Sequence, residues 1–374
     1  MPASGAHSPE ALTLLLAGDV MTGRGIDQIL PHPGDDHLHE DYVKRASDYV
    51  RLAEDANGPI SRPVSFDYIW GVALEEIARR APDVRIANLE TAVTSSKAYE
   101  AKGINYKMNP ANVGVITAAG IDCCVLANNH VLDWGRPGLE ETLSSLGQAR
   151  IACAGAGRNL SAAAAPAVLR VGERARVLVF ALASPSSGVP SHWRATASKP
   201  GVNFLSDISP RNAKRVADTI LPARHPGDVV VVSIHWGRNW GHEVPDAQIA
   251  FAHHLIDSGA ADVIHGHSSH HAKAIEVYRN KLVLYGCGDC INDYEGISGY
   301  EAFRGDLVLM YFPSVSATDG TLSALEMVPM QVRNMRLTAA SVADRAWLAD
   351  TLNRACTAFG TQIAIAQDGA LRLR

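Results

Sequence analysis

The chain has 374 residues, of which 47% are hydrophobic and 20% are charged, and its formal net charge is −5. This is an ordinary globular composition, with enough chain to bury a large core. Lys and Arg form no basic block, which argues against nucleic acid as a partner. The six cysteines are too few and too irregularly spaced for a disulfide framework, so we expect reduced thiols in a cytoplasmic protein.

The N-terminal stretch has only a short apolar run, without a basic region before it, and this run continues directly into a motif. We therefore expect a disordered tail at 1–11 followed by a first strand, and no signal peptide. No apolar run approaches the roughly 20 residues of a membrane helix, so no membrane anchor is expected.

In chain order, six short aliphatic runs of strand length each lead into polar, motif-like residues. They are LTLLLAGD (12–19), VRIANLE (84–90), IDCCVLANNH (121–130), DVVVVSIHWG (228–237), ADVIHGHSSHH (261–271) and KLVLYGCGD (281–289). Helical patterns lie between them, roughly over 66–81, 109–119, 137–148, 209–221 and 245–258. Alternating strands and helices predict an α/β fold, in which polar sites collect beyond the carboxyl ends of strands.

Two segments read as long loops. The polar segment 27–63 is long for a connector, so it is either a lid or substrate loop or a surface insertion, and 184–206 is rich in Pro and Ser. We assign residues 12–335 to one domain. A strand-like stretch follows position 315, and residues 336–374 are predicted to form a helix and a hairpin packed on the same domain.

The polar ends of the runs carry the groups that hold divalent cations and position water, namely carboxylates, an amide and imidazoles. Any single His is more often a core or surface residue, but the combination at successive strand ends favours a metal or catalytic site. The candidates are Asp19, Glu90, Asn129, His130, His235, His267 and His270.

The motifs AGDVM, ANLE, LANNHVLDWG, SIHWG, GHSSHH and LYGCGDCINDYEG occur in this order. The series resembles that of the CapA, or poly-γ-glutamate synthesis, family, which belongs to the calcineurin-like metallophosphoesterase superfamily. The resemblance covers about residues 12–335. It implies a four-layer α/β/β/α sandwich with a metal centre at one edge of the two sheets.

The sequence departs from the superfamily at two ligand motifs. Asp19-Val20-Met21 stands where Asp-x-His is expected, and Asn88-Leu89-Glu90 stands where Gly-Asp-x-x-Asp is expected. The resemblance then leaves as ligands Asp19, Glu90, Asn129, His235 and His267. His130 matches the catalytic His. This smaller, oxygen-rich set of ligands suits one hard cation, with Ca²⁺ favoured over Mg²⁺ or Mn²⁺.

Imidazoles released from ligation would be free for proton transfer if carboxylates orient them. The candidate pairs are Asp19 with His270, and His130 with Asp133 or Glu90, although Asp133 would serve equally well as a helix cap. Two such pairs on opposite walls suit removal and return of a Cα proton. The resemblance agrees, because CapA-like proteins without an anchor include the peptide epimerases of lasso-peptide biosynthesis.

The expected function is therefore metal-dependent epimerisation of the C-terminal residue of a precursor peptide. The alternatives are a metallophosphoesterase and a poly-γ-glutamate or capsule biosynthesis protein. Arg24 and Lys107 would stabilise the enolate. Trp134 and Trp236 are predicted either to line an apolar substrate pocket or to lie in the core.

Supporting roles are predicted for His265, Asp289, Asn292 and Asp293. The Cys287-Gly288-Asp289-Cys290 motif continues an apolar strand, which favours two buried thiols over a redox pair.

Overall fold

A computed structural model of the protein describes residues 11–374. The tail predicted at 1–11 lies outside these residues, except Ala11, which begins the first strand. The described chain forms twenty strands: β1 Ala11–Val20, β2 Val84–Leu89, β3 Ala92–Val93, β4 Lys107–Met108, β5 Cys123–Val125, β6 Ala152–Ala154, β7 Ala156–Gly157, β8 Ala167–Val171, β9 Ala175–Ala183, β10 Gly201–Val202, β11 Asp228–His235, β12 Val263–His267, β13 Ile275–Tyr278, β14 Lys281–Leu284, β15 Asp289–Ile291, β16 Leu307–Ser316, β17 Leu322–Val332, β18 Leu337–Ala339, β19 Ile363–Ile365 and β20 Leu371–Leu373.

The same residues form nine α-helices: α1 Gly25–Ile29, α2 Ala46–Asn57, α3 Ala73–Arg80, α4 Gly114–Ala118, α5 Gly135–Gln148, α6 Leu160–Ala164, α7 Pro210–Ile220, α8 Asp246–Asp257 and α9 Val342–Ala355. Within residues 11–374, no helix is both long enough and apolar enough to cross a bilayer.

The larger sheet has the strand order β19-β20-β17-β16-β1-β2-β5-β6, with β15 beside the end of β1 and β18 beside β17. Strands β1, β2, β5 and β6 run parallel, whereas β16 runs antiparallel to β1. Nine of the ten residues of β1 are buried, as expected for a strand covered on both faces.

The smaller sheet has the order β13-β14-β12-β11-β9-β8, in which β14, β12, β11 and β9 are parallel. The two sheets meet where β1 contacts β12 and where β6 contacts β8 and β9. Helix α5 packs on β6, and α9 packs on β17 and β19, so both helices cover the larger sheet. Helices α7 and α8 pack on each other. The predicted α/β class and four-layer sandwich are confirmed.

The segment 27–63 is not simply a loop, because it contains the twelve-residue helix α2. Tyr49, Val50 and Ala53 lie on one face of α2 and are buried, so helix packing holds this segment on the core. The C-terminal segment adds to the larger sheet, where β18 and β20 both pair with β17.

Candidate active site

Two neighbouring parallel strands place four polar side chains on a grid. In the register of β11 and β12, Ser233 lies beside His265 and His235 lies beside His267. Residues two apart on a strand share a face, so all four side chains point the same way. The grid faces the larger sheet, where His265 Nε2 lies 3.1 Å from the carbonyl oxygen of Ala17.

The hydrogen bonds of this grid fix the protons on its imidazoles. Because the Ala17 carbonyl can only accept, His265 donates from Nε2 and its Nδ1 must accept from the Ser233 hydroxyl, 3.1 Å away. Ser233 Oγ then accepts from His267 Nε2 at 2.8 Å. Burial lowers the pKa of His265 to about 4 and that of His267 well below its usual value, so both rings are neutral.

On the neighbouring strand, His235 Nε2 donates to Asn129 Oδ1 at 3.0 Å. Both His235 and His267 therefore keep a lone pair on Nδ1, and these two nitrogens lie only 2.7 Å apart. Two facing lone pairs at this distance repel each other, and a cation between them removes the repulsion. The donor chemistry thus fits a metal ion.

Asp19, at the end of β1, is the third possible cation ligand beside His235 and His267. Its Oδ1 lies 3.8 Å from His267 Nδ1, and ligand atoms of Asp19, His235 and His267 all lie within 4.8 Å of one another. Asn88 Nδ2 donates to the same carboxylate at 2.7 Å. Burial, together with the Asp289 charge, raises the pKa of Asp19 to about 7, and a bound cation would favour its ionised form.

Two predicted ligands have other partners. Asn129 Oδ1 holds His235, and Glu90 Oε2 accepts from Asn88 Nδ2 at 3.1 Å. Glu90 Oε1 lies 3.8 Å from Nε2 of both His130 and His235. Burial and the Asp19 charge raise the pKa of Glu90 well above its usual value. Both residues lie beside the cation group of Asp19, His235 and His267, and their role as ligands stays a prediction.

A first acid-base pair joins His130 and Asp133, whose Nδ1 and Oδ2 lie 2.6 Å apart. Asp133 also accepts from Lys102 Nζ and from the backbone N–H of Tyr106, both at 2.7 Å. Burial lowers the pKa of His130 to about 4, although Asp133 opposes this. Sequence reasoning missed Lys102, which lies in a polar loop without a motif.

A second pair joins His270 and Asp289, with Nδ1 and Oδ1 2.8 Å apart. This corrects the predicted pairing of His270 with Asp19. Burial alone would lower the pKa of His270, but the Asp289 and Asp19 carboxylates together raise it above its usual value. Asn292 orients Asp289 by donating to Oδ2 at 2.9 Å, and Asn239 Nδ2 lies 3.0 Å from His270 Nε2.

Two tyrosines lie between these His–Asp pairs. The ring of Tyr106 meets His130 edge-on at 4.5 Å, and that of Tyr294 meets His270 edge-on at 5.4 Å. The two phenol oxygens are 3.1 Å apart. The pairs therefore lie on either side of one tyrosine contact.

Arg24 is buried beneath the same tyrosines, and four of its five N–H donors have partners. Its guanidinium binds both oxygens of Asp293, donates to Glu40 at 3.1 Å and donates to Tyr49 Oη at 2.9 Å. These carboxylates raise its pKa further despite burial, so Arg24 stays charged. It ties 40–49 to the site through Glu40 and Tyr49, and one Nη2 N–H without a partner among residues 11–374 remains for an enolate.

The other predicted substrate contacts lie elsewhere. Trp236 is 2% exposed and donates to the Tyr285 carbonyl, and Trp134 is 4% exposed and donates to the Tyr106 carbonyl. Both are core residues, because neither indole reaches the large cavity described below. Lys107 Nζ lies over the Trp134 ring at 3.7 Å, also outside that cavity.

A cavity of about 860 Å³ opens beside His270. Asn239, Trp240, Asn292 and Tyr294 line it on the side of the second pair.

All six cysteines are free, and burial raises the pKa of both Cys287 and Cys290, which fits inert thiols.

Residues 13–294 match the family described as bacterial capsule synthesis protein PGA_cap. The chain belongs to this family. A probable polyglutamine synthesis accessory protein of Mycobacterium tuberculosis is 46% identical over 370 residues, which cover 98% of this chain and 97% of the relative. The capsule biosynthesis protein CapA of Bacillus anthracis is 25% identical over 326 residues, which cover 87% of this chain and 68% of that protein.

The fold is also similar to a crystal structure of a novel phosphatase of Mycoplasma pneumoniae. The TM-score is 0.46 with 13% identity, over 86% of this chain and 94% of the other. This likeness is too remote to bear on activity.

Proposed function

We propose that this member of the PGA_cap family is a metal-dependent accessory enzyme of glutamyl-polymer synthesis that hydrolyses amide bonds of the polymer. The name of the Mycobacterium relative, a probable polyglutamine synthesis accessory protein, suggests the polymer. The observation that carries the chemistry is the facing pair of Nδ1 lone pairs on His235 and His267, beside the Asp19 carboxylate.

One cation is proposed. Two imidazole nitrogens and one carboxylate form a less oxygen-rich donor set than the sequence indicated, which favours Mn²⁺ over Ca²⁺. When bound, the cation would supply Lewis acidity at the amide.

The protein's own groups account for proton movement. His270 keeps an accepting Nε2 toward Asn239 because Nδ1 donates to Asp289, so it can remove a proton from water. In hydrolysis, water forms the new C–O bond, the C–N bond breaks, and the leaving amine takes a proton. The proton that His270 takes from water is proposed to pass to that amine, and His130, neutral and held by Asp133, is proposed to accept a hydrogen bond through Nε2.

A second candidate function is epimerisation at Cα, as the sequence suggested. It is favoured by the two His–Asp pairs on either side of the Tyr106–Tyr294 contact, because removal and return of one proton require two such groups. The substrate would be a peptide or a glutamyl chain, with retention of all its bonds.

One incubation separates the two functions. Purified protein with Mn²⁺ and γ-linked glutamyl oligomers, with free or amidated carboxyls, is followed by mass spectrometry in H₂¹⁸O and in D₂O. Hydrolysis gives shorter products with ¹⁸O, whereas epimerisation gives full-length oligomer with deuterium at Cα. Intact, unlabelled oligomers in both solvents would refute both proposals.

The matched variants are His270→Gln and His253→Gln. His253 also pairs with a carboxylate, Glu276, at 3.0 Å, but it lies on α8 outside the cavity. We expect the first variant to lose at least 100-fold in rate and the second to stay within about twofold.

A further inference from the structure

The Tyr106–Tyr294 contact is anchored to both His–Asp pairs through the backbone. The backbone N–H of Tyr106 donates to Asp133 Oδ2 at 2.7 Å, and Asp133 is the carboxylate of the first pair. The backbone N–H of Tyr294 donates to Asn292 Oδ1 at 3.2 Å, and Asn292 Nδ2 donates to Asp289 of the second pair. The two phenols are therefore held in a fixed position between the pairs.

The hydroxyl protons of the two phenols have one consistent arrangement. The two oxygens lie 3.1 Å apart, and Tyr294 Oη also lies 3.4 Å from Met21 Sδ. Among residues 11–374, Tyr106 Oη has no second hydrogen-bond partner, so Tyr106 must donate to Tyr294 if both protons are to find an acceptor. Tyr294 then donates to the Met21 thioether. A thioether is a weak acceptor, so Tyr294 can redirect this hydrogen bond to a better acceptor at little cost.

The surroundings keep both phenols neutral and strengthen their donation. Burial raises the pKa of Tyr106 and that of Tyr294 well above the usual value, so both keep their protons. The guanidinium carbon of Arg24 lies 4.4 Å from the centroid of the Tyr106 ring and 5.8 Å from that of the Tyr294 ring. Because a neighbouring positive charge favours the anionic form of a phenol, it also makes the O–H a stronger donor. The hydrogen bond from Tyr106 polarises the Tyr294 hydroxyl in the same direction.

Of the two tyrosines, only Tyr294 reaches the cavity. Tyr294 lines it beside His270, whereas Tyr106 is 1% exposed and does not line it. In both proposed reactions negative charge develops on a carbonyl oxygen of the substrate, as the tetrahedral oxyanion in hydrolysis or as the enolate in epimerisation. The reacting carbonyl has to lie beside His270, whose ring meets the Tyr294 ring edge-on at 5.4 Å. A carbonyl within reach of His270 is thus also next to Tyr294.

We infer that Tyr294 donates a hydrogen bond to the reacting carbonyl oxygen, and that Tyr106 is a positioning residue behind it. As charge develops on that oxygen, the Tyr294 hydroxyl leaves Met21 and donates to the substrate. Its proton stays on Tyr294, so the bonds formed and broken are those of the proposed function. This inference deepens the proposed function and rests on it for the reaction.

The kinetic test compares Tyr294→Phe with Tyr300→Phe in the oligomer assay. Removal of one donor to a developing oxyanion typically lowers kcat by about 10²–10³-fold, and we expect a loss of this size in Tyr294→Phe with KM changed less than about twofold. Tyr300 is the matched control. It lines the same cavity and is 49% exposed, and no hydrogen bond within residues 11–374 holds its hydroxyl. Tyr300→Phe should keep both kcat and KM within about twofold.

Two further variants separate hydrogen-bond donation from a structural effect. Replacement of Tyr294 by 3-fluorotyrosine keeps the hydroxyl and should retain at least about half of the wild-type kcat. Tyr106→Phe should lower kcat about tenfold in the wild-type background but less than about twofold in the Tyr294→Phe background, because both residues act through one hydrogen bond. A purely structural role of Tyr106 would give the same loss in both backgrounds.

Binding of 4-nitrophenolate tests the donor without turnover, because this probe presents an oxyanion on a flat ring. It is titrated into the protein with Mn²⁺, as in the assay, at a pH at which the probe is ionised. Wild type and Tyr300→Phe should bind it equally. Tyr294→Phe should bind it about tenfold more weakly, because a hydrogen bond to a charged oxygen is lost.

The outcomes distinguish the donor from the reaction. If the oligomers react, a kcat of Tyr294→Phe above about a tenth of the wild-type value, or an equal loss in Tyr300→Phe, would overturn the inference. If the oligomers stay intact and unlabelled, the proposed function is refuted. The inference then stands only if wild type binds 4-nitrophenolate more tightly than Tyr294→Phe does, and equal binding or no binding overturns it as well.

Discussion

The hydroxyl of Ser233 decides where the protons of the imidazole grid lie, so Ser233→Ala tests the proposed cation group. Without the hydroxyl, nothing holds the His267 proton on Nε2. The proton can move to Nδ1 and donate to His235 Nδ1, 2.7 Å away, which removes the facing lone pairs. Partners that orient a ligand in this way typically contribute 10–100-fold to metal affinity. We expect a loss of that size, about 1.4–2.8 kcal/mol.

Competition titration with Mn²⁺ and a fluorescent chelator measures this affinity. The variant also leaves buried ring nitrogens unpaired, so the unfolding free energy should fall by about 1–3 kcal/mol. Ser187→Ala is the matched control. Its hydroxyl is equally buried and lies 2.8 and 2.9 Å from the carbonyls of Ser184 and His235, but it contacts no imidazole nitrogen. Wild-type metal affinity in Ser233→Ala, or an equal loss in both variants, would refute the proton assignment.

Three further variants test the groups around the site. Arg24→Met leaves two buried carboxylates without their cation, so thermal or chemical unfolding should show a loss of about 3–5 kcal/mol. His271→Gln removes a ring whose Nε2 accepts from Gly241 N–H and whose pKa burial lowers to about 3. Because the unfolded His binds a proton below about pH 6.5 and the folded one does not, wild-type stability should fall as pH drops from 6 to 4. In the variant, the free energy of unfolding should fall less steeply over this range, by up to about 1.4 kcal/mol per pH unit. Lys102→Met removes a positive charge 3.3 Å from His130 Nδ1, so NMR titration should show a higher pKa for His130.

The strands that deliver site residues were predictable, whereas two central strands that only support them, β9 and β16, were not. Strand β11, for example, can be recognised in the sequence because its apolar run ends in a polar residue, His235. In contrast, β9 is fully buried over its last seven residues and ends at Ala183, and β16 runs antiparallel to β1, so its end lies away from the site. Their apolar patterns carry no chemistry, and a search for ligand-type residues at strand ends passes over them.

Pairing within the site depends on register, which the sequence does not contain. Asp19 and Asp289 are direct neighbours in the parallel pair of β1 and β15, so two carboxylates stand side by side near His270. Either could have been its partner. Only the geometry gives the hydrogen bond to Asp289 and leaves Asp19 to the cation group. Ser233 was within reach of sequence reasoning, because a residue two before a ligand on a strand shares its face.

A methionine with a phenol contact stands at the position of the missing superfamily ligand. Met21 follows Asp19 by two residues, where the resemblance would place a His. Its Sδ lies 3.4 Å from the Tyr294 hydroxyl, which in turn contacts Tyr106, and the Tyr294 ring lies against His270. A thioether and a phenol thus fill the space of a ligand, and neither readily holds a hard or borderline cation. Asp289, bound by His270 and Asn292, forms with Asp19 and His270 a second group whose ligand atoms all lie within 4.8 Å of one another. The second His–Asp pair therefore coincides with a second possible cation group, which shares Asp19 with the first.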